Sequence, residues 1–197
     1  MDAPSPSTPA PSAPPPSAPS PSAPMTGLVY ADVPNRAVAY IIDAIIVGII
    51  AGIINSILGG MGLNAVSLDS NLQLSINAVG LIVQGIVSLA ISAGYFIYTW
   101  TAMRATVGMR LLGMQIGNAG DGRTLTTEQA IRRYLAISAP GILAQVLWPA
   151  PAIGALVGLL AFIWFLYLIY STAQSPTKQG WHDVFAHTQV VKAAKTV

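Results

Sequence analysis

Hydrophobic positions in this chain do not alternate with polar ones; they come in long unbroken runs. The first begins at Pro34-Asn-Arg-Ala-Val-Ala-Tyr-Ile-Ile-Asp43 and continues without another charge through Leu58. The second, Asn77 to Trp100, carries no charge at all. The third, Tyr134 to Tyr170, is also uncharged but exceeds the roughly 17–25 residues of one membrane span. Trp148-Pro149-Ala150-Pro151 divides it, because proline ends helices and pushes its predecessor out of the helical region. Each run is long enough for a helix to cross a bilayer, at about 1.5 Å rise per residue. The pattern predicts an all-α membrane bundle of four helices, over about 36–58, 77–100, 131–148 and 152–171.

The interruptions refine that picture. Pro34 suits a first helical turn, and Gly59-Gly60 is a stop signal. Residues 61–76 read as a loop whose only ionised group is Asp69. Gly80, Gly85, Ser88, Ser92 and Gly94 let the second helix approach its neighbours closely. Residues 101–133 hold Arg104, Arg110, Arg123, Arg132 and Arg133, a density that marks the cytoplasmic side. Within them Arg110 to Ile116 looks strand-like and Asn118 to Gly122 is turn chemistry, so a short cytoplasmic β-like hairpin is expected between the second and third spans. Thr126 and Gln129 form a capping box opening the third span. Arg132 and Arg133 then sit where that helix meets lipid headgroups. Pro140-Gly141 marks a kink in the same helix. The loops 59–76 and 148–151 lack Lys and Arg, whereas Arg36, the arginine loop and Lys178, Lys192 and Lys195 share one side, which places both termini in the cytoplasm.

Composition agrees: of 197 residues, 53% are hydrophobic and only 8% charged, against about 25% charged in soluble domains. The net charge of +2 comes from residues spread along the flanks of the apolar runs, so no basic face for nucleic acid is expected. The partner implied is the lipid bilayer. With no cysteine there is no disulfide framework or thiolate chemistry. Residues 1–26 are a Pro/Ser/Ala-rich tail with ten prolines by Pro24, expected to be disordered and biased to polyproline II. Residues 27–197 form the membrane domain.

One pair of charges stands apart. Arg36 opens the first span, and Asp43 follows seven residues later on the same helical face, about 10 Å deeper. A carboxylate at that depth needs a partner in the protein interior. After the last span, Gly180-Trp-His-Asp-Val-Phe-Ala-His-Thr-Gln-Val-Val191 supplies a second aspartate, Asp183. The arginine, the aspartate on the same helix and this Gly-x-His-Asp-x-x-Ala-x-Thr-x-Val-Val segment together resemble the RDD family of membrane proteins, named for one arginine and two aspartates. They map to Arg36, Asp43 and Asp183. Ala105 to Ile116 resembles the family's Thr-x-Gly-Lys segment through Thr106 and Gly108. Met109 replaces the usual lysine there, with Arg110 beside it. Gly108, Arg110, Arg133 and His182 are supporting positions.

The three signature residues are expected to form one site, a guanidinium between two carboxylates at the membrane boundary. Thr188 to Val191 is expected to pair with Leu112 to Ile116. His182 and His187 are too few for a metal site and lie on different faces of a helix, so no metal or cofactor is expected. Adjacent His182 and Asp183 cannot present the geometry of a nucleophilic triad with Ser175, so the chain is not read as an enzyme. Two functions remain. The resemblance implies a membrane transport protein, moving a small cation or proton through Asp43 and assembled as a homo-oligomer, because four short helices enclose little volume. The other reading is a non-transporting scaffold or accessory subunit of a bacterial-type plasma membrane, whose Pro-rich tail recruits a partner.

Overall fold

The computed structural model describes residues 29–147 and 151–192. The tail expected over 1–26, Lys195 and most of the Trp148–Pro151 break lie outside the described residues. The fold is mostly helical. Long helices α1 (Val33–Leu58), α2 (Ala78–Ala102), α4 (Thr127–Val146) and α5 (Pro151–Gln174) make a bundle, and short helices α3 (Val107–Leu111) and α6 (Trp181–Phe185) join strands β3 (Met114–Asn118) and β4 (Thr188–Lys192) at its charged end. At the other end, β1 (Val66–Leu68) and β2 (Leu74–Ile76) form a small antiparallel hairpin within the stretch expected to be loop.

Among the described residues three helices are long and apolar enough to cross a membrane: α1 with the π-turn that extends it to Leu63, α2, and α5 from Ala152. On α1 the lipid-facing stripe is explicit, for Ile41, Ile45, Ile49, Ile53 and Ile57 recur every fourth residue and all are exposed. Such a stripe belongs against acyl chains, which carry no penalty for apolar surface. The fourth long helix, α4, is more polar, because Glu128, Gln129, Arg132 and Arg133 occupy its first two turns.

Pro140 does not break α4, and the reason is local. Proline has no N–H for the carbonyl four residues back. Here that carbonyl, Ala136 O, receives the Trp164 indole N–H from α5 at 2.9 Å instead. Packing α5 against α4 thus replaces the lost backbone bond.

The hairpin expected between α2 and α4 is corrected. That segment holds one strand, β3, and its partner is β4 from the far end of the chain, antiparallel with Ile116 opposite Val190. The inner residues of the sheet, Met114, Ile116 and Val190, are buried with Ala31 and Ala130, so β3 has more apolar surface to cover than a local hairpin could. The residues leading into α1 join the same edge: Ala31 N donates to Val190 O and Lys192 N to Val29 O. Chain start, middle and end are therefore stitched together in one polar cap.

Candidate functional site

Asp183 is fully buried in α6 and is the centre of the cap. Its Oδ2 accepts from Arg36 Nη1 at 2.7 Å and from Gly180 N at 3.1 Å, and its Oδ1 from Arg133 Nη1. Arg36 spends its other donors on backbone, with Nε to Ala31 O and Nη2 to Val190 O. It thereby fastens the start of α1 to β4. Arg133 also donates to Thr188 Oγ1 at 2.6 Å and lies over the Trp100 ring, 5.2 Å from its centroid. Gly180 is required at its position: a Cβ there would fall 2.2 Å from Thr172 Oγ1, so only glycine lets α6 lie this close to α5.

Burial alone would raise the Asp183 pKa, but Arg133, His182 and Arg36 around it hold it well below the usual carboxylate range. His182 is shifted down as well, but by a different cause. Its burial pushes the imidazole down to about 4, Asp183 at 3.5 Å opposes that shift, and the two arginines add to it. The imidazole is therefore neutral at pH 7, and its buried Nδ1 has no hydrogen-bond partner among the described residues.

Asp43 does not join this cluster. It is 2% exposed, in α1, and among the described residues no cation lies within 4.0 Å of its oxygens. Its Oδ1 accepts from Tyr95 Oη at 2.7 Å and from Gly108 N at 2.8 Å, and its Oδ2 from Thr106 Oγ1 at 2.5 Å. Both hydroxyls are oriented from behind: Val107 N donates to Tyr95 Oη and Met109 N to Thr106 Oγ1, so each turns its own proton to Asp43. Three donors occupy three of the roughly four lone-pair sites of a carboxylate, two on Oδ1 and one on Oδ2. Gly108 permits it, since a Cβ there would meet Ala39 O at 2.2 Å. Asp43 therefore docks the start of α3 onto α1.

The expected single site is thus two sites. Arg36 and Asp183 meet, while Asp43 is served by neutral groups on another segment. Arg133, placed by sequence at the headgroups, is instead 6% exposed and is the second counter-ion of Asp183; its neighbour Arg132 is the exposed one, paired with Glu128. The signal that separates them is helical phase. Arg133 shares a face with buried Ala130 and Ala136, three residues either side. Arg110 is exposed and reaches only Met103 O, at 3.3 Å. Tyr95 was missed as a partner of Asp43, and Thr106, noted only within the family-like segment, was not tied to it, because hydroxyls give no charge to notice in a sequence.

Among the described residues no group of three or more His, Cys, Asp or Glu is placed to hold a metal ion. Arg36, Asp43, Arg133 and His182 nonetheless line one cavity of about 160 Å³ between α1, α2, α4 and α5. The two locks are opposite walls of a shared interior space.

Neither a curated protein nor a solved structure matches the chain. The family model of the RDD family matches residues 30–187, which takes in α1, both locks and the turn into β4. This chain therefore belongs to the RDD family.

Proposed function

We propose that this integral membrane protein is a non-transporting scaffold or accessory subunit, with four spans and both termini on the cytoplasmic side of a plasma membrane. α4 is the fourth span in this reading. Its first two turns, with Glu128, Arg132 and Arg133, sit in the polar cap, and residues 134–146 beyond them make a short span of about 20 Å at 1.5 Å per residue. The observation that carries the function is the set of protein donors already held by Asp43. A carrier site must exchange ligands, and Asp43 already holds three protein donors, two of them hydroxyls fixed by backbone N–H groups. Asp183 is equally committed to Arg36 and Arg133. Both carboxylates tie a non-spanning segment to the bundle, which supports a rigid cytoplasmic platform beside a Pro-rich tail suited to recruiting a soluble partner.

Transport of a cation or proton is the second reading, and it draws on a specific observation: Asp43 lines the interior cavity. A carboxylate in that position is the group a cation would seek. The two readings part in proteoliposomes containing a pH dye. A scaffold gives no proton flux in response to sodium, lithium or potassium gradients. Flux in the parent protein, abolished in a folded Asp43→Asn variant, overturns the scaffold and supports transport, with a homo-oligomer then required to complete a pathway.

A further inference from the structure

The cavity between α1, α2, α4 and α5 has a use that neither lock explains. An engineered apolar cavity of about 150 Å³ accommodates benzene, so its roughly 160 Å³ has room for a small ring or a short length of acyl chain. Phe96, Ile137, Phe165 and Leu168 give it apolar walls, and Arg36, Arg133 and His182 line it toward the polar cap. Each nitrogen of Arg36 makes a hydrogen bond. Arg133 differs: both its bonds leave from Nη1, and among the described residues neither Nη2 nor the buried Nε has a partner, nor has Nδ1 of His182.

Charge is also unbalanced at that end. Two guanidiniums share one carboxylate, Asp183, beside a neutral imidazole. The other ionisable groups on the walls do not correct this. The oxygens of Asp43 are filled by Tyr95, Thr106 and Gly108, Tyr134 Oη donates to Ser92, and Tyr40 is an uncharged phenol. Asp32 offsets part of the charge on Arg36, and the donors left unused belong to Arg133.

Access is lateral. α1 and α5 make few contacts with each other, and among them is the ring pair Tyr40–Phe165 at 5.9 Å, both rings partly exposed. Both helices are of membrane-crossing length and hydropathy, so the gap beside this pair faces acyl chains.

We infer that the cavity binds an anionic amphiphile, its acidic oxygens taking the free donor of Arg133 and its chain passing the Phe96 and Leu168 walls to leave between α1 and α5. A long-chain carboxylate and one arm of an anionic phospholipid offer the same chemistry. The inference needs only the membrane placement of α1 and α5, so it stands whether the scaffold or the transport reading holds.

The test uses the full chain in phosphatidylcholine nanodiscs with palmitate carrying a photoreactive diazirine near its carboxyl end. Crosslinks mapped by mass spectrometry are expected on Tyr40, Ile137, Phe165 and Leu168. Ile137→Phe and Leu168→Phe fill the cavity from two walls and each lowers labelling by about tenfold, equivalent to about 1.4 kcal/mol, with an unchanged melting temperature reporting that the fold persists. Excess palmitate competes and its methyl ester does not. Competition by phosphatidylglycerol identifies a phospholipid occupant, and competition by palmitate alone a free fatty acid. Labelling spread along the outward stripe Ile41 to Ile57 and indifferent to both variants overturns the site. Equal competition by the methyl ester overturns the role of the arginines.

Discussion

Asp43 and Asp183 are both buried to within 2% of complete, yet one is held by three neutral donors and the other by two guanidiniums. Position explains the difference. Asp43 lies within a spanning helix, where a second long cationic side chain would itself have to be desolvated, and hydroxyls with a backbone N–H are the lower-energy partners. Asp183 lies in the cap, where Arg36 and Arg133 reach it from two helix ends, Arg36 also bonding backbone and Arg133 also bonding Thr188. A carboxylate can be satisfied by counter-charge or by hydrogen bonds, and the two solutions fail differently. Removing the charge at the first leaves other charges stranded. At the second it leaves only a mismatched donor.

The sharpest way to break the comparison is to neutralise Asp183. Asp183→Asn leaves two buried guanidiniums uncompensated and is expected to destabilise the detergent-solubilised protein by about 3–5 kcal/mol in chemical unfolding. Adding Arg133→Met is expected to return part of that loss, since removing both partners is milder than removing one. If the double variant is no better than the single, the pair is not the reason.

Acid should weaken the cap next. His182 has a folded pKa of about 4 against roughly 6.5 when unfolded, so the unfolded chain binds the extra proton between those values. The stability it contributes is complete above about pH 6.5 and falls as pH drops toward 4, and the depressed Asp183 continues the loss at lower pH. His182→Asn is expected to flatten unfolding stability across pH 4–6.5; an unchanged slope there would assign the acid sensitivity to another group.

Asp43→Asn is a smaller perturbation, because it turns one acceptor into an amide donor facing the Thr106 hydroxyl. A loss of about 1–3 kcal/mol is expected, and hydrogen exchange should quicken at the start of α3 before it does in β4. Exchange that quickens equally in both would mean that the two locks act as one. The mildest change is Trp164→Phe, which leaves Ala136 O without its donor beside Pro140 and should lower stability by about 1 kcal/mol. It touches neither lock, so a larger loss would show that α4–α5 packing supports the cap.

Much of this was legible in the chain itself. The runs of apolar residues gave the long helices, the Thr126–Gln129 capping box is present as both of its bonds, and the β3–β4 pairing followed from two short alternating segments. The hairpin was misassigned because β3 takes β4 as its partner, which leaves no second strand between α2 and α4. The joint site of Arg36, Asp43 and Asp183 was misassigned because seven residues on one helical face fix a direction but not what stands opposite.

By itself the sequence determined that this chain enters a membrane, since so few charges and such long apolar runs admit no water-facing core. It also determined which charges matter, because any ionisable group near those runs must be paired. Only the tertiary structure decided the pairing. Arg36 and Asp183 are 147 residues apart in the chain and Asp43 and Gly108 are 65 apart, and such distances close only when β4 folds under the bundle and α3 docks on α1. The cavity is likewise a tertiary product, the space four helices leave when their small residues and rings meet.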